Sequence, residues 1–149
     1  MPRLAGPWAK QLLQRLLSVE IAETRSERYL RLISSARSGI SEIAPPAAAQ
    51  AAAQRAIIID VRERREFERG HPIGAIHIPR GRLELEIESY VPQENQPLFC
   101  LCDDGSRSVL AVETLLRMGF SSVHSIEGGF RAWVEAGLPA RTNRHLMEE

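Results

Sequence analysis

The chain carries no formal net charge: nineteen lysines and arginines cancel nineteen aspartates and glutamates over 149 residues. That balance excludes a general field that would draw in nucleic acid or an anionic membrane surface. Cysteine is scarce, two residues in all, standing only two positions apart at Cys100 and Cys102. Neighbours on one strand face are poorly placed for a disulfide, which excludes a disulfide-stapled secreted scaffold and predicts a reducing, cytoplasmic compartment. Long apolar runs are missing too: none approaches the roughly 18 residues of a spanning helix, and the N-terminus lacks the continuous apolar core of a secretory signal. Residues 1–19 contain Arg3, Lys10 and Arg15 and no acid, which organellar transit peptides also show, but the segment is poor in serine. Without internal repeats, a low-complexity tail or a zinc-type cysteine spacing, no metal site is expected. What remains, at 44% hydrophobic residues, suits one compact domain with a buried core.

The pattern changes near Gly39. Before it, Trp8, Leu12, Leu13, Leu16 and Leu17 recur at helical spacing. Thr24-Arg25-Ser26-Glu27 has the form of a capping box opening a second helix, which carries Tyr29, Leu30, Leu32 and Ile33 and stops at Ser38-Gly39. Residues 1–39 therefore read as a helical extension. Apolar stripes are usually core, so the favoured expectation packs it on the domain; a partner surface, including a homodimer through these helices, is the alternative.

From residue 40 to 142, short strands alternate with helices, ahead of a tail at 143–149. Ile40 to Ile43 suits a short edge strand, and Pro45-Pro46 opens a helix over the alanine-rich stretch to Gln54. AIIIDV (56–61) and PLFCLC (97–102) are continuous apolar runs of the kind buried on both faces of a sheet. Between them come a charged helix through Glu66-Phe67-Glu68 ending at Gly70, a strand at AIHI (75–78) and a Pro-Arg-Gly turn. SRSVLAVETLLRM (106–118) is a helix ended by Gly119, SVHSI (122–126) a strand, and Gly128-Gly129 leads into a last helix over FRAWVEA. Such alternation implies an α/β fold with a mostly parallel sheet, whose ligand crevice lies at the carboxyl ends of the strands. Asp60, Arg62 and Cys102 fall at those ends.

Cys102 opens the loop Asp103-Asp104-Gly105-Ser106, closed by Arg107 as the next helix begins. A helix N-terminus carries about half a positive charge and favours the thiolate, the nucleophilic form. The amides of a tight loop form an anion-binding nest, and Gly105 permits its curvature. Cys100 leaves the strand on the same face about 7 Å further back and reads as buried core.

Three blocks in this order, IIIDVRERREFERGHPIGAIHIPRG, LCDDGSRSVLAVETLLRMGF and IEGGFRAWVEAGLP, resemble the rhodanese domain family. The resemblance covers about two thirds of the chain and implies a five-stranded parallel sheet flanked by helices and a sulfurtransferase cycle without metal or organic cofactor. In that cycle the thiolate at the Cys102 position takes sulfane sulfur from a donor such as thiosulfate or a persulfide, and passes it to cyanide or a thiol. A protein sulfur donor or acceptor would make the chain a relay or persulfide sensor instead. Cysteine phosphatases and arsenate reductases are the rival enzymes, but four residues separate Cys102 from Arg107, whereas phosphatase loops are one residue longer and cradle a larger anion.

The resemblance makes Cys102 the nucleophile, sets the amides of Asp103 to Ser106 around its sulfur, and gives Arg107 the donor anion or the task of tying the loop down. Ser108 packs or caps the helix. Asp60 and Arg62 match an Asp-Val-Arg motif and read as an ionic brace; His71 reads as a structural hydrogen bonder beside His77, in a block where GHPIG replaces the usual GHIPG. Gly128 and Gly129 let their loop approach the site, Trp133 is core, and Arg80 and Glu84 sit at the rim or surface. Two carboxylates, Asp103 and Asp104, oppose thiolate formation and repel a dianion, which predicts weak thiosulfate affinity that improves when both are replaced by alanine.

Overall fold

The computed structural model describes residues 25–142, so the stripe from Trp8 to Leu17, Thr24 and the tail 143–149 lie outside the described residues. Helix α1 (Glu27–Ser38) is capped by Ser26, whose side chain accepts a hydrogen bond from the Tyr29 N–H at 3.1 Å. The cap thus falls two residues after the expected Thr24, because Ser26 has the extended backbone that lets its hydroxyl reach the third helical amide.

Strand β1 (Ser41–Ile43) and helix α2 (Pro45–Gln54) follow, then β2 (Ile57–Asp60) and α3 (Arg64–Arg69). The chain continues through β3 (Gly70–Pro72), β4 (Ile76–His77), a 3-10 turn at Arg80–Arg82 and α4 (Leu83–Tyr90). The last elements are β5 (Leu98–Leu101), α5 (Ser106–Arg117), β6 (Val123–Ile126), α6 (Gly129–Glu135) and β7 (Ala140–Thr142). The five-stranded sheet has the order β1-β6-β5-β2-β4, every pair parallel, and a separate antiparallel pair joins β3 to β7. Three elements escaped sequence reasoning: α4, β3 and β7. The alternation Leu83-Glu84-Leu85-Glu86-Ile87-Glu88 suits a strand as well as a helix; α4 forms by burying Leu83 and Ile87 and leaving Leu85 exposed. The β3–β7 pair joins segments about seventy residues apart, so its partner strands carry no local signal.

Alternation along the central strands separates two cores. Ile59, Leu98 and Cys100 face one side with Leu83, Ile87, Val112 and Leu115, while Ile58, Phe99 and Leu101 face the other with Ala48, Ile126 and Trp133. Register carries the carboxyl ends of the strands to one edge: Asp60 lies beside His77 on one side and Leu101 on the other. Cys102 is the next residue.

Helix α1 is part of this body. Ile33 and Ala36 are buried against Val109 of α5, with Tyr29, Ile40 and Leu110 around them. Its outer side leaves Leu30 and Leu32 about half exposed. Among the described residues no helix is long and apolar enough to cross a membrane. Because α1 contributes a buried contact, Ile33→Ala is expected to cost about 2 kcal/mol, the low end for a large-to-small core change. Urea unfolding followed by circular dichroism checks it; an unchanged midpoint would mean that α1 is merely appended.

Candidate active site

Cys102 is fully buried where β5 gives way to the loop. The Gly105 N–H donates to Cys102 Sγ at 3.1 Å, and the twelve-residue α5 begins at the next residue, so its positive end faces the sulfur. Gly105 holds φ at 94°, and a Cβ there would lie 3.2 Å from the Gly128 nitrogen. Beneath the sulfur, Ser108 Oγ lies 3.5 Å away and shares a 2.8 Å hydrogen bond with the buried Ser125. Ser108 is fully buried in the first turn of α5, where its hydroxyl oxygen accepts from the Cys102 thiol.

The start of α6 clamps the other side of the loop. Phe130 N–H donates to the Cys102 carbonyl at 2.8 Å and Arg131 N–H to the Asp103 carbonyl at 3.2 Å. Gly129 makes this approach feasible: a Cβ there would lie 2.5 Å from the Cys102 carbonyl oxygen. Cys100, on the same sheet face, is buried, and burial followed by the neighbouring Cys102 pushes its thiol up to about 12. Near neutral pH the Cys100 thiol therefore stays protonated.

Behind the loop, Asp60 and Arg62 form a buried pair. Asp60 accepts from the Arg62 backbone N–H at 3.1 Å, from its Nε at 3.0 Å and from its Nη2 at 2.7 Å; that Nη2 also donates to the Gly70 carbonyl at 2.7 Å. The guanidinium lies 4.5 Å from the centre of the Phe130 ring. One pair therefore ties β2 to β3 and α6, with its hydrogen bonds satisfied, as a buried charge requires. His71 stacks on Phe67 with ring centres 3.7 Å apart and donates from Nδ1 to the Phe67 carbonyl at 2.8 Å. His77 stacks on the same ring and donates from Nε2 to the Arg62 carbonyl at 2.8 Å.

Around the mouth, among the described residues, three acids meet three arginines from distant parts of the chain. Arg107 is bidentate to Glu66 at 2.8 and 2.7 Å. Arg131 grips Asp103 through Nε at 2.8 Å and Nη2 at 2.7 Å. Arg25 pairs with Asp104, whose Oδ1 accepts from the Ser106 N–H at 3.0 Å and hydroxyl at 2.6 Å and lies 3.9 Å from Cys102 Sγ. From α1, Tyr29 donates to Ser106 Oγ at 3.2 Å and Arg37 to the Gly105 carbonyl at 3.3 Å.

This geometry differs from the sequence expectation in two ways. The Ser106 N–H serves Asp104, so it is not spent on the sulfur. Each aspartate carries a matching cation, so the loop is not a bare pair of carboxylates. Arg107 ties the loop to α3, and its hydrogen bonds to Glu66, with the charges of Glu66, Cys102 and Asp103, push it further into its protonated range. Glu66, Arg25, Arg131, Tyr29 and Ser125 were not singled out from sequence, because a charge or hydroxyl does not name a partner 17 to 79 residues away. Arg80 bonds Thr114 at 2.9 Å and pairs with Glu84 at the surface.

The acids respond differently to their surroundings. Burial would raise Glu66 and Asp104, but hydrogen bonds outweigh it, from Arg107 and the Glu63 N–H in one case and from Ser106 and Arg25 in the other, so both are lowered. Burial dominates at Asp103 and raises it, with Arg62 opposing. Burial likewise lowers Arg131; the close contact between them favours the charged forms of both near neutrality. A lowered carboxylate contributes stability that is present above its unfolded value, about 4, and is lost as pH falls through the folded one. The protection factors of amides in the first turn of α5, exchange rates corrected for their intrinsic pH dependence, are therefore expected to fall on acidification below about pH 4, and less so in Glu66→Gln. A pH response identical in both proteins would count against the ion pairs.

A family model described as rhodanese-like domain matches residues 45–136. YrkF of Bacillus subtilis, described as a candidate sulfur carrier protein, is 37% identical over 76 residues, which is 51% of this chain and 40% of that protein; the chain matches less than half of that relative's length. The homodimeric polysulfide-sulfur transferase of Wolinella succinogenes is 28% identical over 77% of this chain and 88% of its own, with a TM-score of 0.69. A protein of unknown function from Rhodopseudomonas palustris, described as a possible tyrosine phosphatase, is 33% identical over 80% of this chain and 96% of its own, with a TM-score of 0.68. The family match takes in well over half of the sequence, and the parallel five-stranded sheet is the fold its relatives share. The chain belongs to the rhodanese-like domain family.

Proposed function

We propose that this chain is a sulfur-transfer enzyme in which Cys102 carries sulfane sulfur as a persulfide. The observation that carries the reading is the loop itself: four residues between Cys102 and Arg107, curled so that the Gly105 N–H points at the sulfur from 3.1 Å. The Cys102 thiolate attacks the outer sulfur of thiosulfate, a new S–S bond forms, and sulfite leaves with the electron pair of the broken one. Cyanide or a thiolate then attacks the terminal sulfur; thiocyanate or a new persulfide departs, and the Cys102 thiolate is regenerated. Atoms and electrons balance without an external oxidant.

The amide of Gly105 and the α5 terminus stabilise negative charge on either sulfur species. The Ser108–Ser125 hydroxyl pair supplies a polar floor where an apolar one would penalise the anion. Arg107 receives an anionic donor by exchanging Glu66 for it, the carboxylate being a like-shaped ligand for a bidentate guanidinium. The phosphatase alternative fits less well, since the short cradle leaves no extra amide for a tetrahedral phosphate. A carrier role, in which a protein thiol is the acceptor, uses the same persulfide and is favoured by the description of the Bacillus subtilis relative.

Incubation with thiosulfate or a low-molecular-weight persulfide, followed by intact-mass and peptide analysis, is expected to show one added sulfur on Cys102 that cyanide removes. Cys102→Ser is expected to abolish the adduct and any thiosulfate:cyanide turnover, whereas Cys100→Ser retains both. Absence of an adduct with every sulfane donor, together with hydrolysis of an aryl phosphate, overturns the reading. An adduct discharged rapidly by a protein thiol but slowly by cyanide identifies the carrier.

A further inference from the structure

Helix α1 and the residues just before it lie outside the stretch matched by the family model, residues 45–136, yet three of their side chains reach the Cys102 loop. Tyr29 bonds Ser106, Arg37 bonds the Gly105 carbonyl, and Arg25 pairs with Asp104. Asp104 is the acid whose oxygen lies 3.9 Å from Cys102 Sγ. A cation delivered from outside the matched stretch therefore sits on the carboxylate that faces the reactive sulfur.

We propose that Arg25 is a positioning residue for sulfur transfer, which neutralises and orients Asp104 so that an anionic donor can approach Cys102. The inference rests on Cys102 being the sulfur carrier. Charged groups reach the site from each element packed on it: Asp103 and Asp104 in the loop, Arg107 from α5, Arg131 from α6, and Glu66 from α3. Arg62, paired with Asp60, stands behind Asp103, Arg37 comes from α1, and Cys100 lies further back along β5 with Arg80 on its side. Among the described residues, three acids at the mouth pair with three arginines, and Arg37 pairs with Glu42. Without Arg25, the Asp104 carboxylate 3.9 Å from Cys102 Sγ loses the cation paired with it. Like charge at this range disfavours the thiolate and repels a dianion.

The same contact has a geometric side. Asp104 Oδ1 takes both the amide and the hydroxyl of Ser106, and Arg25 holds the other oxygen, so the carboxylate plane is fixed across the turn. Asparagine at position 104 keeps an oxygen for Ser106 but carries no charge. That difference allows charge to be separated from shape.

The test uses the full chain, with Arg25→Gln, Arg25→Lys and the double variant Arg25→Gln with Asp104→Asn. The first readout is the pH midpoint of iodoacetamide alkylation of Cys102, followed by peptide mass; the midpoint reports ionisation, whereas a change in plateau rate alone would report access. The second is KM and kcat for thiosulfate. Arg25→Gln is expected to move the midpoint up by about one pH unit and to raise KM several-fold with a smaller change in kcat. Arg25→Lys is expected to stay near the parent, and Asp104→Asn in the Arg25→Gln background to return the midpoint. An unmoved midpoint, or a shift that persists in the double variant, overturns the proposal and leaves Arg25 as a prop of the loop. Should the parent take up no sulfur from any donor, the sulfur-transfer reading falls, while the alkylation midpoints still decide whether Arg25 acts on the thiol through Asp104.

Discussion

A sulfur at the end of a buried strand has lost its water, and a negative charge placed on it needs fixed donors in exchange. Cys102 is fully buried, and the Gly105 N–H at 3.1 Å with the α5 terminus behind it supplies that replacement. The rest of the site follows from this one hydrogen bond, because it exists only while the loop is tightly curled. Curling requires φ of 94° at Gly105, and holding the curl requires α6 to press its first amides onto the Cys102 and Asp103 carbonyls. That approach leaves no room for a side chain at Gly129. The Asp60–Arg62 pair then fixes the platform from which α6 and the α3 corner reach the loop.

Parts of this arrangement were legible in the amino-acid sequence, and the division has a physical cause. Continuous apolar runs identify β2 and β5, since strands covered on both faces have no polar side to alternate with. The turn after β5, the glycine and the arginine are consecutive residues, so motif and geometry coincide at Cys102, Gly105 and Arg107. Asp60 and Arg62 are two apart and pair with one another. The partners that balance the loop are another matter. Glu66 is 41 residues from Arg107, Arg131 is 28 from Asp103 and Arg25 is 79 from Asp104. Only the fold brings these charges together, so sequence reading saw two uncompensated acids where the structure has two ion pairs. The α4 helix and the β3–β7 pair were missed for related reasons: an ambiguous period in the first case and a long-range partner in the second.

Helix α1 joins both kinds of problem. Its apolar spacing made it legible as a helix, and Ile33 and Ala36 make it core. Its polar side, however, points Tyr29 and Arg37 at the loop, which no helical pattern announces. Packing and site construction are thus one event here: docking α1 on α5 buries an apolar seam and sets its polar residues over the loop. A change in that seam reaches the sulfur through positions rather than through contact.

Burial also separates the ion pairs around the loop that yield easily from the one that does not. The three rim pairs are about a quarter to two fifths exposed, and ion pairs in such settings contribute of order 1 kcal/mol or less. Breaking the Asp60–Arg62 pair would strand a buried charge, a loss of about 3–5 kcal/mol. The rim pairs are therefore the ones that separate at little cost, while the buried brace is held. Each of the two adjacent acids in the loop, Asp103 and Asp104, is thus paired with an arginine from elsewhere in the chain. That pairing depends on Arg25, just ahead of α1, and Arg131 of α6 remaining where the fold holds them.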